Sequence, residues 1–234
     1  MKNYFKFNDI SSLDMGVLPT GKGVFGSAEK DYKSFSVPGR NGDLLIFNRY
    51  KNVDVTYPAI VIGNDYKKLA SDLRAWLLAE NGYLKLEDTY NPDEIRLAAY
   101  SGPIDLNTIL LQAGSLNISF NCKPERYLKS GQQAVEITES GSTIVNPTSF
   151  EARPLLVIFG YGSFKINDVQ TSISVSTYEH VNIDCDAMIC YNGNVNLNQY
   201  LVIGDFPTLK AGENTIEFDS TITKIQITPR WWRV

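Results

Sequence analysis

Apolar and polar positions alternate along much of this chain. Phe5, Phe7 and Ile10 open it, Leu44-Leu45-Ile46-Phe47 is a short apolar run, Val53-Asp54-Val55-Thr56-Tyr57 alternates cleanly, and Ala59-Ile60-Val61-Ile62 continues it. A period of two is what a strand with one buried face requires. One segment departs from it. From Asn64 to Ala79, Tyr66, Leu69, Leu73, Trp76 and Leu77 recur at helical spacing and make an amphipathic face. Asn64 is a suitable N-cap, Asp65 suits the positive end of the helix dipole, and Asn81-Gly82 supplies the stop. The Trp76 stripe reads as a packed core face.

Strand patterns resume at Tyr83–Leu86, Ile95–Tyr100 and Leu116–Cys122, with the turn cluster Asp88–Asp93 between the first two. A run rich in Thr, Ser and Gly from Glu136 to Asn146 punctuates the pattern and is the expected domain junction. Beyond it, short strand patterns follow one another without helical periodicity: Leu155–Phe159, Phe164–Ile166, Ile173–Val175, Val181–Cys185, Met188–Tyr191, Tyr200–Ile203, Thr215–Phe218 and Lys224–Thr228. Many short strands separated by turns predict a sandwich or jelly roll. The expectation is a mainly β protein of two domains. Residues 1–138 form a sandwich-like β domain with one packed helix, and residues 139–234 form a jelly-roll sandwich.

The stretch Ser36–Leu45 packs two turn signals, Pro38-Gly39 and Asn41-Gly42, around Arg40. Asn-Gly favours positive φ at both turn positions, the geometry that folds a right-twisted strand back on itself. The sequence therefore predicts a tight hairpin with Arg40 near its tip.

Composition narrows the function. Of 234 residues, 43% are hydrophobic and 12% aromatic, enough for a real core. The net charge is −4 and the cations are scattered, which argues against nucleic acid as the main partner, because such binding rests on neutralising phosphates. No run approaches the roughly 18 apolar residues that span a bilayer, and the alternating opening Met1–Asn8 lacks the apolar core of a signal peptide. The expectations are no membrane insertion and no export by the secretory route. Cys122, Cys185 and Cys190 are odd in number and lack metal-ligand spacing, so they read as reduced thiols.

Candidate chemistry is sparse. His180 is the one histidine, which excludes sites built from several, and no Gly-x-Ser-x-Gly elbow supports a triad. Asp184 and Asp186 share a face if one strand carries both, and paired carboxylates can run glycoside hydrolysis, yet acids are also common on the polar face of a sandwich. Gly160-Tyr161-Gly162 and Gly39-Arg40-Asn41-Gly42 are not phosphate loops, since neither opens a helix. Trp231 and Trp232 could stack on a sugar, but tandem residues of a strand point to opposite faces, one of them core. The expectation is no enzyme, no metal and no cofactor.

Several motifs carry a resemblance. Val37-Pro38-Gly39-Arg40-Asn41-Gly42, Lys123-Pro124-Glu125-Arg126-Tyr127, Asn146–Leu156, Pro207-Thr208-Leu209-Lys210-Ala211-Gly212-Glu213-Asn214 and Pro229-Arg230-Trp231 resemble, in order, motifs of the siphophage distal tail proteins. The resemblance implies a galectin-like C-terminal sandwich and a structural role at the virion tail tip, after assembly in the bacterial host cytoplasm. It implies a homo-hexameric ring built by the N-terminal domains, with the tail tube protein above, the tail-associated hub protein below, and receptor-binding proteins carried where they exist. Within that frame Pro38, Gly39, Arg40, Asn41 and Gly42 are candidate ring-interface residues. The alternative is a carbohydrate-binding module that recognises the host surface, which a glycan array separates from the structural reading.

Overall fold

The protein is described by a computed structural model covering residues 3–21, 26–62, 65–100, 102–104, 107–110 and 113–234. The chain is mainly β and divides into two compact units, Met1–Arg126 with Val234, and Tyr127–Arg233.

The first unit contains β1 (Phe5–Phe7), β2 (Ile10–Ser11), β3 (Val17–Pro19), β4 (Lys30–Ser36), β5 (Asp43–Tyr50), β6 (Val53–Ile62), helix α1 (Tyr66–Leu78), β7 (Leu84–Asp88), β8 (Glu94–Tyr100), β9 (Asn107–Leu110) and most of β10 (Ala113–Leu128). Its main sheet runs β2-β1-β7-β8-β10-β6-β3, with β9 also against β10. The clean alternation of β6 becomes strict in-out burial: Val53, Val55, Tyr57, Ala59 and Val61 face the core. They meet Leu116, Ile118, Phe120 and Cys122 of β10 in antiparallel register. The helix buries Leu73, Trp76 and Leu77 against this sheet. Phe5 stacks on Tyr57 at 4.7 Å and on Trp76 at 5.8 Å, and the Trp76 indole N–H donates to the Phe7 carbonyl at 3.2 Å. The buried indole thus finds the polar partner it needs.

The expected cap Asn64 lies outside the described residues. Asp65 caps the helix instead, its carboxylate accepting from the backbone N–H groups of Lys67 (3.1 Å) and Lys68 (3.0 Å). It satisfies two of the orphan donors of the first turn and adds negative charge where the dipole favours it.

The second unit is a true sandwich. Its strands are β11 (Val135–Ile137), β12 (Ser142–Asn146), β13 (Leu155–Gly160), β14 (Gly162–Ile166), β15 (Val169–Ile173), β16 (His180–Asp184), β17 (Ile189–Asn192), β18 (Val195–Asn196), β19 (Leu201–Ile203), β20 (Gly212–Phe218), β21 (Ile222–Thr228) and β22 (Trp232–Arg233). One sheet runs β11-β21-β13-β16-β17-β18 and the other β12-β20-β14-β15-β19. A single cluster draws Leu156, Ile158, Ile183 and Ile225 from the first sheet and Ile144, Phe164, Ile166 and Ile216 from the second. The Thr/Ser/Gly-rich run is a turn between β11 and β12, with Gly141 at φ +89°. The compact unit runs Tyr127–Arg233, and its first strand, Val135–Ile137, pairs with β21.

Candidate functional site

The feature of the first unit that packing does not explain is the hairpin β4–β5. Its strands pair with each other and form a two-stranded sheet of their own. Register runs from Ser36↔Asp43 at the tip to Lys30↔Tyr50 at the base, with a bulge between Asp31 and Tyr32. Such a ribbon is marginal in water unless something packs on it. Here no residue from Lys30 to Tyr50 is buried, while Tyr32, Phe35, Val37, Leu44, Leu45, Ile46 and Phe47 are each 38–58% exposed. A cluster of exposed apolar side chains on one element marks an interaction site.

Local chemistry holds the ribbon together. Tyr32 and Phe47, cross-strand partners, meet edge to face at 5.8 Å, and Phe47 meets Tyr50 at 5.1 Å. The Ser34 hydroxyl donates to Asp43 at 2.5 Å. The Lys51 ammonium pairs with Glu29 at 3.0 Å across the base.

The tip differs from the tight Asn-Gly turn that the sequence predicts. Residues 37–42 form a six-residue connection between the paired Ser36 and Asp43. The Arg40 N–H donates to the Val37 carbonyl at 3.1 Å, and Gly39 has φ +79°. Pro38 and Gly39 therefore occupy the centre of a turn that wants fixed negative φ first and positive φ second. Gly42 also has positive φ (+78°), but Asn41 does not, so Asn-Gly is not a mirror-image two-residue turn. Two turn signals in tandem cannot both close one two-residue loop, and the Pro-Gly pair takes the bend.

A Cβ at Gly39 or Gly42 would meet nothing within 4 Å, so the penalty there is purely conformational. Gly39→Val and Gly42→Val are each expected to cost about 1–3 kcal/mol locally. Hydrogen exchange at β4–β5 should accelerate, with the core of the first unit unaffected. Native protection in both variants would contradict the turn geometry.

The other candidates are structural. Asp184 ends β16, and Asp186 lies beyond the strand in the following turn, so the two carboxylates are not a same-face pair. Asp184 accepts from both Arg230 amino groups at 2.8 and 2.9 Å and from the backbone N–H groups of Asp186 and Ala187. The Arg230 guanidinium, aided by those N–H groups, outweighs partial burial and holds the Asp184 carboxyl below its usual range. A carboxylate so engaged anchors the chain; it is not poised as a general acid. A depressed folded pKa gives stability that is present above the unfolded value, about 3.9, and lost as pH falls through the folded one. Arg230→Gln should therefore flatten the acid side of the pH–stability curve below about pH 4, read by denaturant midpoints.

His180 lies on β16 with its ring 5.4 Å from Phe159. Cys122, Cys185 and Cys190 are free and buried, and burial pushes their thiols up to about 12, 12 and 11. Among the described residues, no group of three or more His, Cys, Asp or Glu side chains is arranged to hold a metal. Trp231 is buried in the sandwich core. Trp232 packs against Phe150, the rings tilted by 32° with centroids 4.6 Å apart, and donates to the Glu151 carbonyl at 2.9 Å. Both tandem indoles are thus engaged in packing.

The motifs of the second half have structural reasons. Asn146 folds the start of its motif, accepting from the Thr148 N–H and hydroxyl and donating to the Phe150 and Leu209 carbonyls. Asn214 does the same for the Pro207–Asn214 turn. Arg230 has φ +58°, and its N–H donates to the Gly131 carbonyl at 2.7 Å.

No curated protein matches the sequence at a significant level. Residues 7–122 match the family described as phage tail protein RIFT-related domain. Among solved structures, the Dit protein of phage SPP1, described as a paradigm of the hub adsorption apparatus in phages infecting Gram-positive hosts, superposes with a TM-score of 0.75 at 12% identity. The match covers 97% of this chain and 98% of that one. Chains of the phage P2 baseplate in its activated conformation, with Ca and with Sr, match with TM-scores of 0.57 and 0.54, each at 10% identity. They cover 97% and 99% of this chain and 98% of each of those. The segment that bears the exposed hairpin thus belongs to the phage tail protein RIFT-related domain family, and the chain as a whole has the fold of a siphophage distal tail protein.

Proposed function

We propose that this protein is a structural component of the siphophage tail tip, a homo-hexameric ring that joins the tail tube protein to the tail-associated hub protein. It is assembled in the host cytoplasm and carries receptor-binding proteins where a phage has them. The first unit builds the ring. The observation that carries this reading is the hairpin: seven exposed apolar side chains on an element without a core of its own, in a unit of phage-tail type. A ring needs one patch that meets a different patch, with the rotation closing on itself. A projecting hairpin supplies one of the two, with Pro38, Gly39, Arg40, Asn41 and Gly42 at its leading end.

A structural role also fits the engagement of the acids and aromatics. Asp184 is tied to Arg230, and Trp231 and Trp232 are packed. The net charge of −4 gives DNA no reason to be held by this protein, so it slides through the lumen.

The test is the mass of the full chain, alone and on isolated tails. Six copies of 26.2 kDa make roughly 157 kDa, within the usual range of closed rings. Light scattering of the purified chain should detect that species, and labelled protein should add to tails at one ring per tip. A chain found along the tail shaft or in the head would sink the reading. Hydrolysis of peptidoglycan or teichoic acid that Asp184→Ala or Asp186→Ala abolishes, in a variant that still folds, would replace it with an enzymatic one.

A further inference from the structure

We infer that both faces of the β4–β5 hairpin are covered by one neighbouring copy of this chain, so that the ribbon is inserted into its neighbour and not laid upon it. The inference rests on the ring reading above and adds the geometry of the joint.

The register divides the hairpin's apolar side chains between opposite faces. Tyr32 pairs with Phe47 and Ser34 with Leu45, which puts Tyr32, Leu45 and Phe47 on one face. Lys33 pairs with Ile46 and Phe35 with Leu44, which puts Phe35, Leu44 and Ile46 on the other. Each face therefore carries three large apolar groups, and none of the six is buried within the chain. A ribbon made to lie on a surface has one apolar and one polar face. The run Leu44-Leu45-Ile46-Phe47 breaks that alternation and reads as a strand buried on both sides.

Area leads to the same geometry. Eight residues at about 3.4 Å each and a width of about 10 Å give each face an area on the order of 270 Å². Covering one face buries roughly 500 Å² over both partners, the range of loose lattice-type contacts. Covering both buries roughly 1,100 Å², where specific interfaces begin.

Charge selects the occupant. Between Glu29 and Lys51 stand five cations, Lys30, Lys33, Arg40, Arg49 and Lys51, against three acids, Glu29, Asp31 and Asp43, a net of +2. The whole chain is −4, so the rest of it is −6. A second copy therefore offers the hairpin a surface of opposite sign, and in a closed ring every copy gives one hairpin and receives one.

The experiment is sedimentation of the full chain across a concentration series up to about 1 mM, which spans even weak association. Three proteins are compared: the wild type, a first-face variant (L45N/F47N) and a second-face variant (L44N/I46N). The substituted side chains are exposed in the monomer, so both variants should keep the wild-type melting temperature, which is measured alongside. The expected result is that each variant loses at least about tenfold in association, the scale of a core interface residue. A wild-type oligomer that only one face disrupts overturns the insertion and leaves the ring standing. An oligomer indifferent to both faces overturns the hairpin's part in it. A wild type that is monomeric at every concentration and also fails to add as a ring to isolated tails overturns the ring reading itself; where it does add there, the same comparison of the two faces is read on the tails. Face-dependent binding of that monomer to vesicles of anionic lipid would make the occupant a membrane surface.

Discussion

Gly131→Ala is expected to lower the stability of the second unit by about 3 kcal/mol, because overpacking against backbone cannot relax by a rotamer change. A Cβ at Gly131 would sit 2.3 Å from the Trp231 backbone nitrogen and 2.9 Å from its Cβ. The close approach has a purpose. The Gly131 carbonyl accepts from the Arg230 N–H at 2.7 Å, and the Leu128 N–H donates to the Trp231 carbonyl at 2.8 Å. The chain's closing segment is thereby laid directly on the 3₁₀ turn Lys129–Gln132, which seats Trp231 in the core and aims Arg230 at Asp184. Pushing that backbone away loosens three contacts together. Urea denaturation of the full chain checks it, followed by hydrogen exchange in the second unit. Gly204→Ala, at an exposed position where a Cβ meets nothing within 4 Å, is the control and should change stability by less than about 0.5 kcal/mol. Equal effects of the two substitutions would mean that the closing segment is not packed on Gly131.

Sequence patterning reveals the elements of this fold better than their arrangement. The period of β6 and the stripe Leu69, Leu73, Trp76, Leu77 each follow from a local rule, since one buried face imposes one spacing. The order of strands in the sheets does not follow, because β10 pairs with β6 across the helix and β13 with β21 across much of the second unit, and such pairing leaves no local spacing. The tip of the hairpin was legible as a turn but not as the kind of turn, since Pro38-Gly39 and Asn41-Gly42 compete within six residues. Asp186 illustrates the limit of face arguments. Two residues apart is one face only while the strand lasts, and β16 ends at Asp184. The candidate site was half legible. Leu44–Phe47 reads as strand from its residue types, but that all four stay exposed required the structure. An apolar run without alternation, on a strand that the chain itself leaves uncovered, points to burial between molecules.

Asn214→Ala is expected to destabilise the second unit by about 3 kcal/mol, since it orphans several buried polar groups at once and each unsatisfied group costs about 1–3 kcal/mol. The Asn214 side chain is fully buried. Its Oδ1 accepts from the Lys210 N–H at 2.7 Å and the Asn167 amide at 2.8 Å, and its Nδ2 donates to the Lys210 and Gly212 carbonyls at 2.9 Å each. Those four bonds close the turn before β20 and fasten it to the β14–β15 turn, where Asn167 in turn accepts from the Thr215 N–H. Asn214→Asp separates the accepted bonds from the donated ones. It keeps an oxygen toward Lys210 and Asn167 but turns a carboxylate oxygen toward two carbonyls. Burial and those carbonyls disfavour the ionised form, so the folded-state pKa of the new acid should lie above its unfolded value of about 3.9. Its stability should then be highest below that value and fall as pH rises through the folded pKa, the opposite sign to the Asp184–Arg230 pair. Denaturant midpoints of the wild type and of both variants between pH 4 and 8 read this directly. A pH-independent difference between Asn214→Asp and the wild type would mean that the Nδ2 bonds do not hold the turn.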